Sequence, residues 1–401
     1  MAAAQGCPVV SLGVPAFFFI AAMAQCAVVV LVHGQSQEGF ISIDCGIAAG
    51  TSYVEADNNI TYESDMDYID TGVNHMILSP SDWPKRYHTL RSFPEGIRNC
   101  YKLRPVSSDK KYLVRAGFHY GNYDDKNSTP VFDLYIGVNL WRTLGKDPFI
   151  EEIITVVPTD YDSLFVCLVN TGQGTPFISV LELRPIPDSM YLLANKSQSL
   201  VLTENRRYYG AIPILRYPRD PYDRIWFNSG VSGVYSLNTT ENVKIGTLMD
   251  EFQVPSSVLS TAIRTYNTSY HLPLSIKVVN ARAGDTIYVL MHFAELELLM
   301  SNETRQMNIY QGEGDGSGRL LFANYTPPYL EADARVANAT LQGGEDATYN
   351  LSIYASASST RPPMINALES YMFRPMAVLV THHGERILSP PNRREAQQSP
   401  I

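Results

Sequence analysis

Short runs of alternating apolar and polar residues, each ended by turn residues, recur along the chain from residue 39 onward. In the first half they cover 39–46, 111–118, 131–138, 152–157, 163–169 and 177–183, and in the second half 274–280, 286–293, 305–311, 348–354 and 365–373. Alternation with a period of two is typical of β-strands with one buried face. Amphipathic patterns of three helical turns or more do not compete with these runs, so the sequence predicts an all-β fold of the sandwich type.

The two series of predicted strands are related by an internal repeat. The segment YLVRAGFHYGNYDDKNSTPVFDLYIG aligns with YVLMHFAELELLMSNETRQMNIYQG and places Phe118 on Phe293, 175 positions apart. Further on, PFISVLELRP resembles PMINALESYMFRP and places Glu182 on Glu369, 187 positions apart. The second copy therefore carries about a dozen extra residues, which fits its Gly-rich stretch 312–318, interpreted as a hairpin loop.

The repeat predicts how the mature chain is divided. Two tandem β-sandwich subdomains are expected at 39–187 and 223–375. The segment 188–222, rich in Pro, Tyr and Arg, is predicted to be a linker that packs between the copies, because it carries apolar residues such as Leu200. Residues 376–401 are predicted to form a polar, disordered tail, since they show no apolar periodicity.

The first 34 residues carry no Asp, Glu, Lys or Arg and are almost continuously apolar from Cys7 to Val32. This pattern predicts a secretory signal peptide at 1–34, cleaved after Gly34. An uncleaved membrane anchor is the alternative, because the apolar run is long enough to span a bilayer and a charged leading region is missing. A second run of about 18 apolar residues is not found, so other membrane attachment is expected only through a further C-terminal part.

Glycosylation acceptors support passage through the secretory route. The motif Asn-x-Ser/Thr occurs at Asn59, Asn127, Asn195, Asn238, Asn267, Asn302, Asn324, Asn338 and Asn350. A bulky sugar cannot be buried, so each of these side chains is expected on a loop or on a solvated strand face.

Cysteine usage agrees with an oxidising compartment. With Cys7 and Cys26 inside the predicted signal peptide, Cys45, Cys100 and Cys167 remain in the mature chain. Three cysteines can form one disulfide in three alternative pairings. The remaining thiol is expected to be buried and inert, with an intermolecular bridge as the alternative.

Composition narrows the possible partners. Hydrophobic residues make up 45% of the 401 residues and charged residues 18%, which predicts a globular protein with a substantial core. Acidic residues outnumber basic ones by 40 to 31, giving a net charge of -9. Because a nucleic-acid binder needs a basic surface, neither DNA nor RNA is an expected partner.

Catalytic and metal-binding motifs are not recognisable in the sequence. Residues 230–233 lack the spacing of a Gly-x-Ser-x-Gly elbow, and kinase motifs are missing. His119 and His292 have no second His or Cys at ligand spacing. The sequence therefore predicts no enzymatic activity, no cofactor and no metal site.

Several motifs together resemble one known family. They are ISIDCG at 41–46, YxxD at 62–65, RxFPxGxRNCY at 91–101, YLVRAGFHYGNYD at 112–124 and FxxxLELRP at 177–185. This combination resembles the tandem malectin-like ectodomain of plant receptor-like kinases, especially those with leucine-rich repeats, over roughly residues 39–375. The resemblance implies two malectin-like β-sandwiches (jelly-roll-like), an apoplastic location and ligand perception. The expected leucine-rich repeats, membrane span and kinase do not follow residue 375, which indicates a secreted, truncated relative or an incomplete sequence.

One loop carries a candidate binding site. After the predicted strand 111–118 come Tyr120, Asn122, Tyr123 and Asp124. Flat aromatic faces suit the apolar side of a sugar ring, and neighbouring Asn or Asp side chains suit its hydroxyl groups. Malectin presents its sugar-contacting aromatic residues from loops at a similar place. A second and weaker exposed candidate consists of Trp83, Tyr87 and His88.

The sequence thus predicts a non-catalytic extracellular ligand-binding module that binds a cell-wall-derived oligosaccharide. The alternative is a protein-interaction module that senses a secreted peptide or docks a co-receptor, including a secreted decoy. The protein is expected to be secreted or at the cell surface in the apoplast. A plasma-membrane location would follow if the N-terminal segment is retained or the chain is a receptor fragment.

Overall fold

The computed structural model describes residues 36–77, 83–145, 150–246, 251–312, 318–341 and 346–377. The predicted signal peptide 1–34 and nearly all of the predicted tail, from residue 378 on, lie outside these ranges. Strands dominate the described residues, and the helical elements are a single-turn helix, α1 (Ser256–Leu259), and the 3-10 turns Asp65–Asp67 and Lys85–Tyr87. The predicted all-β fold is confirmed.

The strands are numbered in chain order and fall into two groups around a separate strand, β14. The first group is β1 (Ile41–Asp44), β2 (Ser52–Val54), β3 (Thr61–Ser64), β4 (Val73–Met76), β5 (Thr89–Ser92), β6 (Arg98–Leu103), β7 (Lys111–Gly117), β8 (Val131–Ile136), β9 (Asn139–Leu144), β10 (Ile150–Val156), β11 (Leu164–Gln173), β12 (Phe177–Ile178) and β13 (Val180–Ile186). After β14 (Gln198–Leu202), the second group is β15 (Arg206–Tyr208), β16 (Ile214–Leu215), β17 (Trp226–Asn228), β18 (Tyr235–Asn238), β19 (Thr261–Arg264), β20 (Leu272–Val279), β21 (Thr286–Phe293), β22 (Met307–Gln311), β23 (Arg319–Tyr325), β24 (Asp333–Thr340), β25 (Asp346–Ala355), β26 (Met364–Ile365) and β27 (Ala367–Pro375).

The strands before β14 build the first β-sandwich. One of its layers has the strand order β10–β7–β13–β1–β3–β2, and the other has the order β6–β11–β8–β9. A short third sheet has the order β12–β5–β4. Apolar side chains of the two layers meet in one core, to which Val114 and Leu181 come from the first layer and Leu134 and Val166 from the second.

The strands after β14 repeat this arrangement with labels fourteen higher. The layers are β24–β21–β27–β15–β17–β16 and β20–β25–β22–β23, and the short sheet is β26–β19–β18. Even the parallel pair β1–β3 recurs, as β15–β17. A second core contains Ile287 and Leu368 from one layer and Ile276 and Ile353 from the other. The predicted tandem duplication of a β-sandwich is therefore confirmed.

Strand β14 joins one layer of each sandwich into a single 13-stranded sheet. On one edge it pairs antiparallel with β10, where Val201 lies opposite Ile153, and on the other with β27, where Leu200 lies opposite Phe373. The proposed linker 188–222 thus contains β14, β15 and β16. β15 and β16 pair with strands of the second sandwich and therefore belong to it. β14 is the seam strand that joins the two sandwiches.

The number of residues that separates equivalent positions of the two copies is the same in the strand pairing as in the sequence alignment. In the β13–β7 ladder Glu182 lies opposite Arg115, and in the β27–β21 ladder Glu369 lies opposite Leu290. Residues 115 and 290 are 175 positions apart, and residues 182 and 369 are 187 positions apart. The structural superposition of the two copies therefore follows the alignment of their sequences.

A buried polar residue interrupts the last strand of each copy at the same place. Ser179 separates β12 from β13 and Asn366 separates β26 from β27. The Ser179 hydroxyl accepts a hydrogen bond from the His119 N–H at 3.1 Å, and the Asn366 side-chain oxygen accepts one from the Ala294 N–H at 2.8 Å. The prediction of single strands at 177–183 and 365–373 is therefore wrong. Each segment is divided into two strands, because Ser179 forms a hydrogen bond with the loop after β7 and Asn366 forms one with the loop after β21.

Buried ion pairs cover the face of the large sheet that points away from the first core. The Arg115 guanidinium donates to Glu152 at 3.0 Å and also contacts Glu182 and Asp223. Arg216 donates to Asp223 at 2.8 Å and to Glu182 at 2.9 Å. Although burial opposes ionisation, the surrounding guanidinium groups hold the pKa values of Glu182 and Asp223 well below their usual range. Both carboxylates are therefore ionised at neutral pH and neutralise the buried guanidinium groups around them.

The structure pairs Cys100 of β6 with Cys167 of β11 in a disulfide. The two residues lie opposite each other in the β6–β11 ladder, so the bond crosslinks neighbouring strands of the layer β6–β11–β8–β9. Cys45 is free and fully buried, and burial raises the pKa of its thiol. Of the three pairings that the sequence left open, this is the one that the fold forms.

Candidate functional site

The loop with the candidate binding residues leaves the first sandwich at the end of β7. Phe118 is buried and fixes the start of the loop through edge contacts with Phe132 and Phe177, at centroid distances of 5.9 and 6.1 Å. Gly121 has φ +50°, and a Cβ there would lie 2.5 Å from the Ile77 side chain. Glycine therefore allows the chain to turn closely over the residue that follows β4.

Hydrogen bonds within the loop hold its shape. The Asn122 side-chain oxygen accepts from the Asn127 N–H at 2.8 Å and from the Tyr120 hydroxyl at 3.3 Å. The Tyr120 hydroxyl also contacts the Asp124 carboxylate closely. Tyr120 and Asn122 thus organise the loop, together with the Asp124 carboxylate that the Tyr120 hydroxyl contacts.

A pocket of about 200 Å³ lies between this loop and the short sheet, and is called the loop pocket below. It is lined by Val73, His75, Ser92, Pro94, Tyr123, Asp124, Lys126 and Thr175. The lining residues carry aromatic rings, a carboxylate, an ammonium group and hydroxyl groups, although the surface that faces the pocket is mostly apolar. Such a mixture can hold a small polar ligand that also has an apolar face.

Two aromatic side chains form one wall of the loop pocket. The rings of His75 and Tyr123 lie 4.7 Å apart at 51°. The Nε2 atom of His75 is 2.8 Å from the Ser92 hydroxyl, which fixes the imidazole plane. Partial burial lowers the pKa of His75, so that its ring is neutral at neutral pH and acts through contact and hydrogen bonding.

Two charged side chains, Asp124 and Lys126, also line the loop pocket. The Lys126 ammonium lies 3.5 Å from the Asp124 carboxylate, and the Lys126 side chain is largely exposed whereas that of Asp124 is mostly buried. A carboxylate accepts hydrogen bonds from hydroxyl groups, and an ammonium group donates them. This pair can therefore replace its mutual contact with hydrogen bonds to a hydroxyl-rich ligand.

The structure divides the four predicted site residues into two roles. Tyr123 and Asp124 line the loop pocket, whereas Tyr120 and Asn122 support the loop behind it. Sequence reasoning missed the partners from the short sheet and from the turn at Thr175, because they come from segments far from the loop along the chain. The contact between the His75 and Tyr123 rings depends on the position of β4 beside β5, which the sequence pattern does not predict.

The second sequence candidate is mainly a packing cluster. Tyr87 is 3% exposed, so its prediction as an exposed residue is wrong. The Trp83 ring lies 4.2 Å from the His119 ring and 5.8 Å from the Tyr87 ring, and the Trp83 carbonyl lies 2.8 Å from the Nε2 atom of His88. These contacts attach the segment before β5 to the end of β7.

All nine sequon asparagines are exposed in the structure. They include residues on strands, such as Asn238, Asn338 and Asn350, as well as residues in turns. This placement meets the steric requirement for attaching a sugar chain at each position. Among the described residues, no cluster of three or more His, Cys, Asp or Glu side chains is arranged to hold a metal ion.

Known proteins are similar to this chain in sequence and share its tandem-sandwich fold. A family model described as the malectin-like domain matches residues 43–373. The chain therefore belongs to the malectin-like domain family. Its similarity to this family extends across both sandwiches and the seam strand between them.

Two receptor kinases of Arabidopsis thaliana are similar in sequence. The chain is 38% identical over 373 residues to a probable LRR receptor-like protein kinase, a match that covers 90% of this chain and 40% of that protein. It is 36% identical over 377 residues to a probable LRR receptor-like serine/threonine-protein kinase, covering 92% of this chain and 42% of that protein. The chain thus spans about 40% of the length of these relatives.

Solved structures share the fold at lower sequence identity. The ANXUR2 extracellular domain from Arabidopsis thaliana matches with a TM-score of 0.66 at 17% identity, over 84% of this chain and 97% of that chain. A chain in the crystal structure of the plant peptide RALF23 in complex with FER and LLG2 matches with a TM-score of 0.66, also at 17% identity, over 84% and 95% of the two chains. Within the described residues, none of the helices has the length and apolar character needed to cross a membrane.

Proposed function

We propose that this chain is the extracellular ligand-binding part of a receptor-like kinase or a secreted relative of one, and that it binds a cell-wall-derived carbohydrate without catalysing a reaction. Similarity to receptor kinases supports the receptor role. The apolar N-terminal segment and the nine exposed sequons support an apoplastic location, at the plasma membrane if a further segment anchors it.

The loop pocket is the observation that carries the carbohydrate proposal. Its aromatic wall of His75 and Tyr123 can contact the apolar face of a sugar ring, and Asp124 and Lys126 can bind hydroxyl groups. A volume of about 200 Å³ is below the usual range for drug-sized ligands. The pocket therefore suits a single sugar unit of an oligosaccharide whose remaining units extend outside.

Calorimetric titration with neutral oligosaccharides of the cell wall tests this proposal. Tyr123→Ala removes one aromatic wall, and we expect binding to weaken about tenfold, as for the loss of one aromatic contact of roughly 1.5 kcal/mol. Tyr329→Ala is the matched control, because Tyr329 is 47% exposed and lies in the second sandwich. Equal affinity of the two variants, or no binding of any neutral oligosaccharide, would overturn the carbohydrate proposal.

Peptide sensing is a second candidate function, favoured by an exposed strand edge. β4 is the last strand of its short sheet, and Val73 and Met76 on it are 49% and 75% exposed. An extended peptide can add to such an edge and place a side chain in an adjoining pocket, here the loop pocket. A structural neighbour comes from a crystal structure of the plant peptide RALF23 in complex with FER and LLG2, which supports a peptide and a co-receptor as partners of this chain.

Binding of RALF23 peptide, with and without LLG2, tests the second candidate. Met76→Asp places a charge on the exposed edge, so we expect it to weaken peptide binding. Leu298→Asp changes a residue that is 78% exposed in the second sandwich and serves as the control. Peptide binding that is equally strong in both variants would show that the β4 edge is not the docking site.

A further inference from the structure

Three exposed tyrosines form a continuous aromatic cluster on the second sandwich. Tyr235, Tyr266 and Tyr270 are each about half exposed, at 50%, 49% and 57%. The ring of Tyr266 lies 4.6 Å from the ring of Tyr235 and 6.3 Å from the ring of Tyr270. Contiguous exposed rings of this kind generally mark a surface that is covered by another group.

This tyrosine cluster occupies the position that the loop pocket has in the first sandwich. Val73 lies opposite Ser92 in the β4–β5 pair, and Tyr235 lies opposite Arg264 in the equivalent β18–β19 pair. Val73 and Ser92 line the loop pocket. In the second copy Tyr235 occupies the strand position equivalent to that of Val73. The Arg264 guanidinium lies 5.1 Å from the centre of the Tyr235 ring.

A glycosylation acceptor lies within the tyrosine cluster. Asn267 is exposed and immediately follows Tyr266, in a turn that ends at Tyr270. The Asn267 carbonyl accepts hydrogen bonds from the Thr265 hydroxyl at 2.9 Å and from the Tyr270 N–H at 3.4 Å. These bonds fix the backbone of the turn in which Asn267 lies between Tyr266 and Tyr270 along the chain.

The Asn267 side chain is oriented by its own sequon. Its oxygen accepts a hydrogen bond from the Ser269 N–H at 2.9 Å. Across the described ranges its Nδ2 atom, which would carry the sugar, donates no hydrogen bond to the protein. The nitrogen is therefore available for glycosylation while the turn keeps its shape.

We propose that the N-linked glycan of Asn267 packs against Tyr235, Tyr266 and Tyr270. The first sugar of such a glycan is attached directly to Nδ2, so its ring begins next to the aromatic cluster. Its apolar face can cover the exposed rings, and its polar groups can meet the tyrosine hydroxyls and Arg264. The second sandwich thus binds its own carbohydrate at the place where the first sandwich keeps an open pocket.

The geometry distinguishes Asn267 from the other sequon on this sheet. Asn238 follows Tyr235 by three residues on β18, so it points to the opposite face of the strand. A glycan on Asn238 therefore starts on the other side of the sheet. The proposal goes beyond the ligand-binding function and does not depend on the first sandwich binding a sugar.

A double-mutant cycle on protein secreted from a eukaryotic host tests the proposal. Ser269→Ala removes the glycan of Asn267 and keeps the N–H that binds the asparagine oxygen. In the wild-type background we expect this change to lower the melting temperature by about 2 °C. In the Tyr266→Ala, Tyr270→Ala background it should have no effect, because the surface that the glycan covers has been removed.

Thr61→Ala, which removes the sequon at Asn59 in the first sandwich, is the matched control and should shift the melting temperature equally in both backgrounds. Release of the Asn267 glycan by an amidase from the native protein gives a second readout. We expect release to be several-fold faster once the tyrosines are replaced. An unoccupied Asn267 in the glycopeptide mass spectrum, equal release rates, or equal temperature shifts in both backgrounds would overturn the proposal.

Discussion

Glu152 of the first sandwich and Glu369 of the second are held by the same guanidinium group. Arg206 donates to each carboxylate at 2.7 Å, and all three side chains are almost completely buried. Glu369 also contacts the His292 imidazole at 3.0 Å. Burial opposes its ionisation, but His292 and Arg206 hold the pKa of Glu369 well below its usual range. The two sandwiches thus share an ionic contact in addition to the seam strand.

Replacing Arg206 should be strongly destabilising. Arg206→Met leaves Glu152 and Glu369 buried without their shared partner, and we expect the free energy of unfolding to fall by about 3–5 kcal/mol. Arg207→Met is a matched control, since the neighbouring Arg207 pairs with Glu204 near the surface and should lose at most about 1 kcal/mol. Urea denaturation measures both values. Similar losses in the two variants would contradict a structural role for the shared guanidinium.

Asp44 should make the stability depend on pH in the mildly acidic range. Burial raises the pKa of Asp44 to about 7, even though the hydroxyls of Tyr53 and Thr89 donate to its carboxylate at 2.6 and 2.8 Å. Between about pH 4 and pH 7 the native state keeps a proton that the unfolded chain has lost, so the free energy of unfolding falls as the pH rises through this window.

Asp44→Asn should remove this dependence and leave the protein more stable at pH 7.5 than the wild type. Urea denaturation at several pH values between 4 and 7.5 measures the slope. Asp67→Asn, at an exposed position, is the control and should keep the wild-type slope. A wild-type slope in the Asp44 variant would show that another group is responsible.

The motif ISIDCG ends in a glycine that the fold requires. Gly46 has φ +97°, and a Cβ there would lie 2.3 Å from the Leu90 carbonyl oxygen. Gly50 also has a positive φ, +70°, but a Cβ there would meet open space. We expect Gly50→Ala to cost about 1 kcal/mol for backbone strain and Gly46→Ala to cost at least about 2 kcal/mol more for the clash. Thermal unfolding of both variants measures the difference.

The Cys100–Cys167 disulfide should contribute substantially to stability. It closes a loop of 67 residues, for which the loss of unfolded-state entropy corresponds to about 4 kcal/mol. A Cys100→Ser, Cys167→Ser variant should therefore unfold at lower denaturant concentration than the oxidised wild type and close to that of the reduced wild type. Alkylation of Cys45 should occur only after unfolding, so rapid labelling of the native protein would contradict its burial.

The sequence predicts the repeat and the central strands because burial leaves a clear period in both copies. The offsets between Phe118 and Phe293 and between Glu182 and Glu369 correspond to real strand registers. The short edge strands β4 (VNHM) and β18 (YSLN) were not predicted, since most of their side chains are exposed and no alternation marks them. Because β4 supplies Val73 and His75 to the loop pocket, the missing strand also concealed part of the candidate site.

The roles within the loop could not be inferred from residue types. Tyr120 and Tyr123 have the same chemistry and lie three residues apart, yet one hydrogen-bonds within the loop and the other lines the pocket. This difference depends on the turn at Gly121 and on contacts with β4, which a single sequence does not reveal. The disulfide pairing was likewise left open by the sequence. Cys100 and Cys167 are identified as partners only by their opposite positions in the β6–β11 ladder.

Strand β14 also determines how the molecule responds to mechanical load. It is hydrogen-bonded to β10 on one edge and to β27 on the other, so a force that pulls the sandwiches apart must rupture at least one ladder of backbone hydrogen bonds. A flexible tether between domains would instead extend without breaking secondary structure. Tension applied at one sandwich is therefore transmitted to the other through the backbone of a continuous sheet.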